Sequence, residues 1–286
     1  MKFYALYEGI YEGVDGRISL LREAAVNLGL EFIPIDSLTY NYAKLPILKK
    51  EDLLYKFARG AQSLESLLLN DEVTTFYIKN PQVCFLKSST EWTVIHTKAN
   101  LSQPKTIFNI TSDRDLLKQY VDYLNGFPLI IKSEGSSRGI GTIKIESWQN
   151  LISTVDYLVT TTDTFVMREF IHSDYGARVM VLGNEVILCK KFYFQENDFR
   201  NAPILSATHY EPIEIDEPTK LLCIKAVHLA NLEMGGVDIL FERETGKPYL
   251  LEINFPTGFQ SFMDDPKPVL SKMIDFLIQK SLKNEN

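Results

Sequence analysis

GGVDILFERETGKPYLLEINFPTG, residues 235–258, holds two apolar runs, VDILF and YLLEIN, on either side of a polar segment in which Thr245 and Gly246 are suited to reversing a strand. A hairpin is expected. Side chains of an extended strand alternate with a period of two, so Glu252 and Asn254 project to one face. The partner strand can bring Asp238 alongside them. Two carboxylates and an amide oxygen are hard donors, the set that suits Mg²⁺ or Mn²⁺ shared with substrate phosphates. A lone Glu-x-Asn is ordinarily a solvated strand face. Here the strand is otherwise apolar and runs into Phe255-Pro-Thr-Gly258, which favours burial near a site and a metal-binding role.

Outward from the hairpin, residues 268–282 place Val269, Leu270, Met273, Ile274 and Leu277 on one helix face. Residues 218–232 read as a helix with Gly235 and Gly236 as its stop, preceded by β-rich pieces at 165–170, 177–182 and 185–193. Further back lie expected strands at 104–109, 127–132 and 142–145 and helices at 113–124 and 147–158. Ser88 with Glu91 resembles a capping box opening a helix to about residue 99. The chain begins β, α, β: a strand at 2–7, a helix to residue 28 stopped by Gly29, and a strand at 31–35. Strands at 53–57 and 75–78 flank the helix-like AQSLESLLL. This is a doubly wound α/β opening without GxGxxG, so by itself it identifies no nucleotide. A chain of 286 residues exceeds one small core, and two or three units are expected, the first over residues 1–86, in an α/β (α+β) fold.

A net charge of −7, with no basic stripe, argues against a nucleic-acid surface. Apolar stretches are strand-sized and MKFYALYEG opens directly on a strand pattern, so neither a membrane span nor a secretory signal is visible and a cytoplasmic protein is expected. Cys84, Cys189 and Cys223 are odd in number and widely spaced among apolar neighbours, as small buried hydrophobes are. His96, His172, His209 and His228 are isolated, with no partner at a ligand spacing.

Lys132 closes the apolar run FPLIIK, where a charge either snorkels to solvent or meets an anion. The following loop, Glu134-Gly-Ser-Ser-Arg-Gly-Ile-Gly141, supplies glycine-freed amides together with Ser136, Ser137 and Arg138 as donors for phosphate oxygens. It lacks the GK[ST] of a Walker A loop. Arg200, in the polar run Glu196-Asn-Asp-Phe-Arg-Asn201, has an exposed loop as its plain explanation and a bidentate clamp on phosphate or carboxylate as the functional one.

Six segments in order, FPLIIK, EGSSRGIG, VMREFI, ARVMVLGNEV, NDFRN and GGVDILFERETGKPYLLEINFPTG, resemble the ATP-grasp superfamily. The nearest branch is that of RimK-like ribosomal-protein glutamate ligases, lysine-biosynthesis ligases and glutathione synthetases. The resemblance implies an N-terminal pre-ATP-grasp domain at 1–86 followed by a two-subdomain ATP-grasp fold, with a central subdomain at 87–167 carrying the phosphate loop and a C-terminal subdomain at 168–286 carrying the metal site. It further implies that Lys132 contacts ATP, that the SEGSSRGIG loop with Ser136, Ser137 and Arg138 folds over the phosphates, and that Glu169, Phe170 and Ile171 offer backbone groups to adenine. Arg200 would meet the γ-phosphate or an acyl phosphate, and Asp238, Glu252 and Asn254 would hold the metal. The chain departs from the family pattern where Gly176 replaces an acid two residues before Arg178, with Asp174 standing in at the ribose. Ser88-Ser-Thr-Glu-Trp92 replaces an ATP-binding lysine, beside Lys87, and Arg200-Asn-Ala-Pro203 differs on the acceptor side. The activity implied is an ADP-forming carboxylate–amine ligase using ATP and Mg²⁺ on small-molecule or peptide substrates, in a chain that relatives suggest is a dimer or tetramer. A kinase built on the same nucleotide site and a nucleotide-binding protein without turnover are the alternatives.

Overall fold

The computed structural model describes residues 1–10, 14–79, 89–134, 139–194, 198–200, 210–258 and 265–283. Strands β1 (Lys2–Tyr7), β2 (Glu31–Asp36) and β3 (Leu53–Lys56) pair in parallel in the order β2-β1-β3. Helix α1 (Val14–Asn27) crosses between the first two and ends where Gly29 takes a positive φ of 78°, a left-handed turn that costs glycine little. Helix α2 (Gln62–Leu68) follows β3.

Helix α3 (Ser89–Lys98) precedes a second sheet; its expected cap at Ser88 and the neighbouring Lys87 lie outside the described residues. That sheet joins β4 (Thr106–Ile107), β5 (Leu129–Ser133), β6 (Thr142–Ile145) and β7 (Phe165–Glu169) in the antiparallel order β4-β7-β5-β6. Helices α4 (Arg114–Tyr123) and α5 (Trp148–Leu158) cover it. Both start where the sequence puts a cap: Asp113 accepts from the amides of Asp115 and Leu116 at 2.9 and 3.0 Å, and Ser147 from that of Asn150 at 3.3 Å. Leu117, Leu129, Ile131, Leu151 and Val155 close a core belonging to this sheet alone.

The third sheet is antiparallel, with β8 (Tyr175–Leu182), β9 (Glu185–Tyr193), β10 (Tyr210–Pro212), β11 (Met234–Phe241) and β12 (Pro248–Asn254) in the order β10-β9-β8-β11-β12. Its core face packs on α6 (Glu217–Leu229) and α7 (Lys267–Lys283), and the core is continuous with the first sheet: Phe3, Leu53, Val179, Val237, Cys223 and Leu277 belong to one buried cluster. The largest core therefore joins the beginning and the end of the chain.

Two expectations are corrected. Residues 75–78 form no strand. The carbonyls of Thr75 and Tyr77 accept instead from the Lys280 ammonium on α7, at 3.0 and 2.6 Å, and Tyr77 makes an isolated bridge to Leu232. Gly235 and Gly236 do not stop a helix; α6 ends at Leu229 and Asn231 takes the positive φ, 63°, while both glycines lie inside β11. Their role is close approach: a Cβ on Gly236 would stand 2.3 Å from Thr257 Oγ1 and 3.2 Å from an Arg178 nitrogen. The turn at Thr245 and Gly246 forms as read, with the Gly246 amide on the Glu242 carbonyl at 2.8 Å.

Candidate active site

The registers β11/β12 and β11/β8 set Arg178, Asp238 and Glu252 side by side across three strands, so their side chains share one face. A bulge between Asp238 and Ile239 adds local twist at this point. Arg178 grips the Asp238 carboxylate at both oxygens, Nε to Oδ1 and a terminal nitrogen to Oδ2 at 2.8 Å. Asn254, two residues beyond Glu252, turns its amide to both acids, 3.1 Å from Asp238 Oδ2 and 3.4 Å from Glu252 Oε1. The triad expected from the hairpin is thus brought together, and Arg178 is a fourth member that hairpin reasoning does not reach.

From the facing four-stranded sheet, Lys132 at the end of β5 reaches Glu252 Oε2 at 3.2 Å. Lys132 is thus paired with a carboxylate of the protein rather than turned to solvent. Arg168 on β7 is buried nearby, donating to Thr93 Oγ1 at 2.6 Å and to the Leu251 carbonyl at 3.5 Å, with its Nε unpartnered. Burial lowers the Arg168 pKa, against the pull of Glu252. The two sheets therefore approach each other here, Lys132 and Arg168 of one against Glu252 and Leu251 of the other, with Arg178 beside the acids; the gap between them is the candidate cleft. Burial pushes the Asp238 carboxyl up, opposed by Arg178 and reinforced by Glu252. Burial also works against the charge of Glu252, but Lys132 and then Arg178 outweigh it and hold that carboxyl below its ordinary range. Arg178, though disfavoured by burial, is kept charged by Asp238.

Asp238 and Glu252 are balanced by Arg178 and Lys132, so a divalent cation here would bring an excess of positive charge that suits a polyphosphate. The donor set fits such an ion: two adjacent carboxylate groups and Asn254, whose amide presents oxygen once turned over. No cluster of three or more His, Cys, Asp or Glu side chains able to hold a metal occurs among the described residues. Ile171, Leu240 and Tyr249 form a small separate buried apolar patch, with Phe194 and Leu251 packed against it.

Residues 90–277 match the model of the RimK-like ATP-grasp domain. The chain belongs to that family. Among curated proteins it is 28% identical over 169 residues to a probable alpha-L-glutamate ligase of Aeromonas salmonicida (strain A449), covering 58% of this chain and 56% of that one. It is 21% identical over 224 residues to probable alpha-L-glutamate ligase 2 of Hahella chejuensis (strain KCTC 2396), covering 77% and 73%. The chain spans less than two thirds of the length of the Aeromonas relative. The ATP-grasp fold is shared with the ATP-grasp ligase PsnB complexed with minimal precursor, at a TM-score of 0.71 and 18% identity over 96% of this chain and 99% of that one. It is shared equally with D-alanine–D-alanine ligase from Bacillus anthracis complexed with ATP, at 0.66 and 18% over 100% and 99%.

Other expected ATP-grasp residues are placed as follows. Ser136, Ser137 and Arg138 lie outside the described residues, but Gly139 just after them takes a φ of 73°, and a Cβ there would stand 3.1 Å from Cδ of Arg200. Arg200 thus packs its stem on the end of the glycine-rich loop. Its guanidinium is paired with Asp198, through Nε to Oδ1 at 2.8 Å and a terminal nitrogen to Oδ2 at 2.7 Å; this hydrogen bonding pulls the Asp198 carboxyl down. The Glu169 amide is already bonded to the Lys105 carbonyl at 3.0 Å, and its carboxylate takes Asn125 and the Lys105 amide. The peptide groups of Phe170 and Ile171 have no hydrogen-bond partner among the described residues. Asp174 sits at the rim, 60% exposed, paired with Arg243 at 2.6 Å. Cys223 is buried and Cys189 half-buried, both free, and burial pushes the Cys189 thiol up to about 12; Cys84 and His209 lie outside the described residues. No described helix is long and apolar enough to cross a membrane.

Proposed function

We propose that this protein is an ATP-dependent, ADP-forming carboxylate–amine ligase that activates a carboxylate as an acyl phosphate and couples it to an amine. The observation that carries the reading is the Asp238–Glu252–Asn254 face set against Lys132 across the cleft. The apolar patch of Ile171, Leu240 and Tyr249, beside the peptide groups of Phe170 and Ile171 that have no hydrogen-bond partner among the described residues, is suited to an adenine ring. Asp238, Glu252 and Asn254 would hold Mg²⁺, or Mn²⁺, which when bound supplies charge neutralisation on the phosphates. Lys132, on the opposite wall, positions a phosphate oxygen once Glu252 turns to the metal. The loop with Ser136, Ser137 and Arg138 supplies amide and side-chain donors, and Arg200 neutralises charge on the phosphoryl group as it moves to the carboxylate. Asp174, released from Arg243, would take the ribose hydroxyls. Closing the cleft keeps water from the activated acyl group.

Small-molecule or peptide carboxylates and amines are the proposed substrates. The relatives named as glutamate ligases make glutamate and glutamate-ending peptides the first to try, and PsnB, solved with its precursor, supports a peptide. The three-unit organisation, with breaks near residues 86 and 167, and a cytoplasmic location are proposed with the activity. Incubation with MgATP, L-glutamate, the dipeptide Glu-Glu and hydroxylamine tests the reading: ADP is expected to equal the sum of amide and hydroxamate formed, with hydroxamate present. AMP as the stoichiometric product, or a phosphate ester without hydroxamate, would overturn it.

A further inference from the structure

Lys190 and Lys191 are consecutive on β9 and therefore point to opposite faces of the sheet. Lys191 is fully engaged on one face, its ammonium 4.2 and 4.4 Å from the ring centroids of Tyr175 and Tyr193 and 3.7 Å from Glu211. Lys190 is registered directly opposite Arg178, which is opposite Asp238. It therefore stands on the cleft face. It is half-buried, and among the described residues it has no acid, hydrogen-bond or ring partner.

The four groups form one row across the sheet: Glu252, Asp238, Arg178, Lys190. Neighbouring strands lie about 4.8 Å apart, so the Lys190 backbone is about 10 Å from that of Asp238. Charge along the row is unbalanced in one place only. Arg178 is committed to Asp238 and Lys132 to Glu252, and the next cation has no counter-charge among the described residues. An ammonium held half out of water without a counter-charge is suited to an anion arriving from solution. Beside it, the buried Phe192 ring lies over Gly176, where a Cβ would come within 2.3 Å, and 6.3 Å from the Tyr210 ring.

We propose that Lys190 binds a carboxylate of the amino-acid or peptide substrate, one that does not itself react, and so sets the chain's preference for acidic over neutral substrates. The nucleotide phosphates are the less suited occupant. Leu240, Tyr249 and Leu251 of the apolar patch and the acid pair lie along β11 and β12, so the nucleotide would run chiefly over those strands, whereas Lys190 is two strands from β11. The proposal rests on the ligase reading above.

ADP release from the full chain is followed with MgATP and hydroxylamine while the concentration of a fixed mixture of L-glutamate and Glu-Glu is varied. Lys190→Met is expected to raise the concentration for half-maximal rate about 10- to 100-fold, the loss of one charge-assisted contact, with that for ATP within twofold. Lys190→Arg should recover most of it, and Lys191→Met should leave both values near wild type. A wild type that releases no ADP with these substrates removes the ligase reading and the proposal together. A wild type that turns over, with Lys190→Met matching it in substrate concentration dependence, overturns the role of Lys190 alone. A raised ATP value with the substrate value unchanged also overturns it, by making Lys190 a nucleotide contact.

Discussion

Replacing Arg178 with methionine strips Asp238, whose side chain is 5% exposed, of the guanidinium that holds both its oxygens. Removing one partner of a buried ion pair costs about 3–5 kcal/mol. Two features bring the expected loss to the lower end, about 3 kcal/mol at pH 8: Asn254 keeps its 3.1 Å bond, and burial has already pushed the Asp238 carboxyl up, so it can take a proton. A carboxyl whose folded pKa lies above its unfolded one contributes stability at low pH and loses it as pH rises through the folded value. Without Arg178 that folded value rises further, so the deficit of Arg178→Met against wild type should grow from pH 5.5 to pH 8. Urea unfolding followed by the fluorescence of Trp92 and Trp148 measures it. In a cycle with Asp238→Asn, the double variant should be more stable than the sum of the single losses implies by about 1.5–3 kcal/mol. A deficit that is the same at both pH values, with single losses adding within about 0.5 kcal/mol, refutes the reasoning.

Glu252→Gln keeps shape but removes a charge from the proposed metal set; it should fold normally, lose turnover, and lose the Mg²⁺-dependent part of its thermal stabilisation by ATP, about 2.7 kcal/mol at a hundredfold excess over Kd in the wild type. Equal stabilisation of the wild type by ATP with chelator present would remove the metal assignment. Arg200→Ala should lower turnover about 30- to 1000-fold while leaving ATP binding by calorimetry nearly intact, whereas unchanged turnover returns Arg200 to a surface pair with Asp198. His96 is buried, with its pKa lowered by burial despite a ring nitrogen 3.2 Å from the Ala226 carbonyl. Its contribution is present above its unfolded value of about 6.5 and lost as pH falls through the lower folded one, so the wild type should lose stability between pH 7 and pH 5 and His96→Gln should flatten that loss.

The hairpin and its acids were legible because everything needed is local: a period of two, a Thr-Gly turn, and Glu252 and Asn254 two positions apart. Register then put Asp238 directly opposite Glu252. Arg178 was not legible as a site residue. Its partner is 60 positions away and their meeting depends on how β8 pairs with β11, although an arginine inside the apolar run ARVMVL is a signal that a counter-charge must exist. Arg168 in FVMRE carries the same signal. Gly235 and Gly236 were misread because, seen locally, glycines after a helix look like a stop, and the space they make for Val227 and Thr257 is a tertiary fact. Residues 75–78 have strand-like composition, yet Lys280, 203 and 205 positions on, takes the carbonyls a neighbouring strand would have used.

The central claim is that the γ-phosphoryl group of ATP passes to a substrate carboxylate before the amine attacks. Turnover of MgATP with L-glutamate and Glu-Glu, every carboxylate in the mixture labelled with ¹⁸O, tests it by mass analysis of the phosphate released. One labelled oxygen in each phosphate, matched to one ADP and one amide bond formed, is the expected result. Amide formed with unlabelled phosphate, or with the label in AMP, would contradict it.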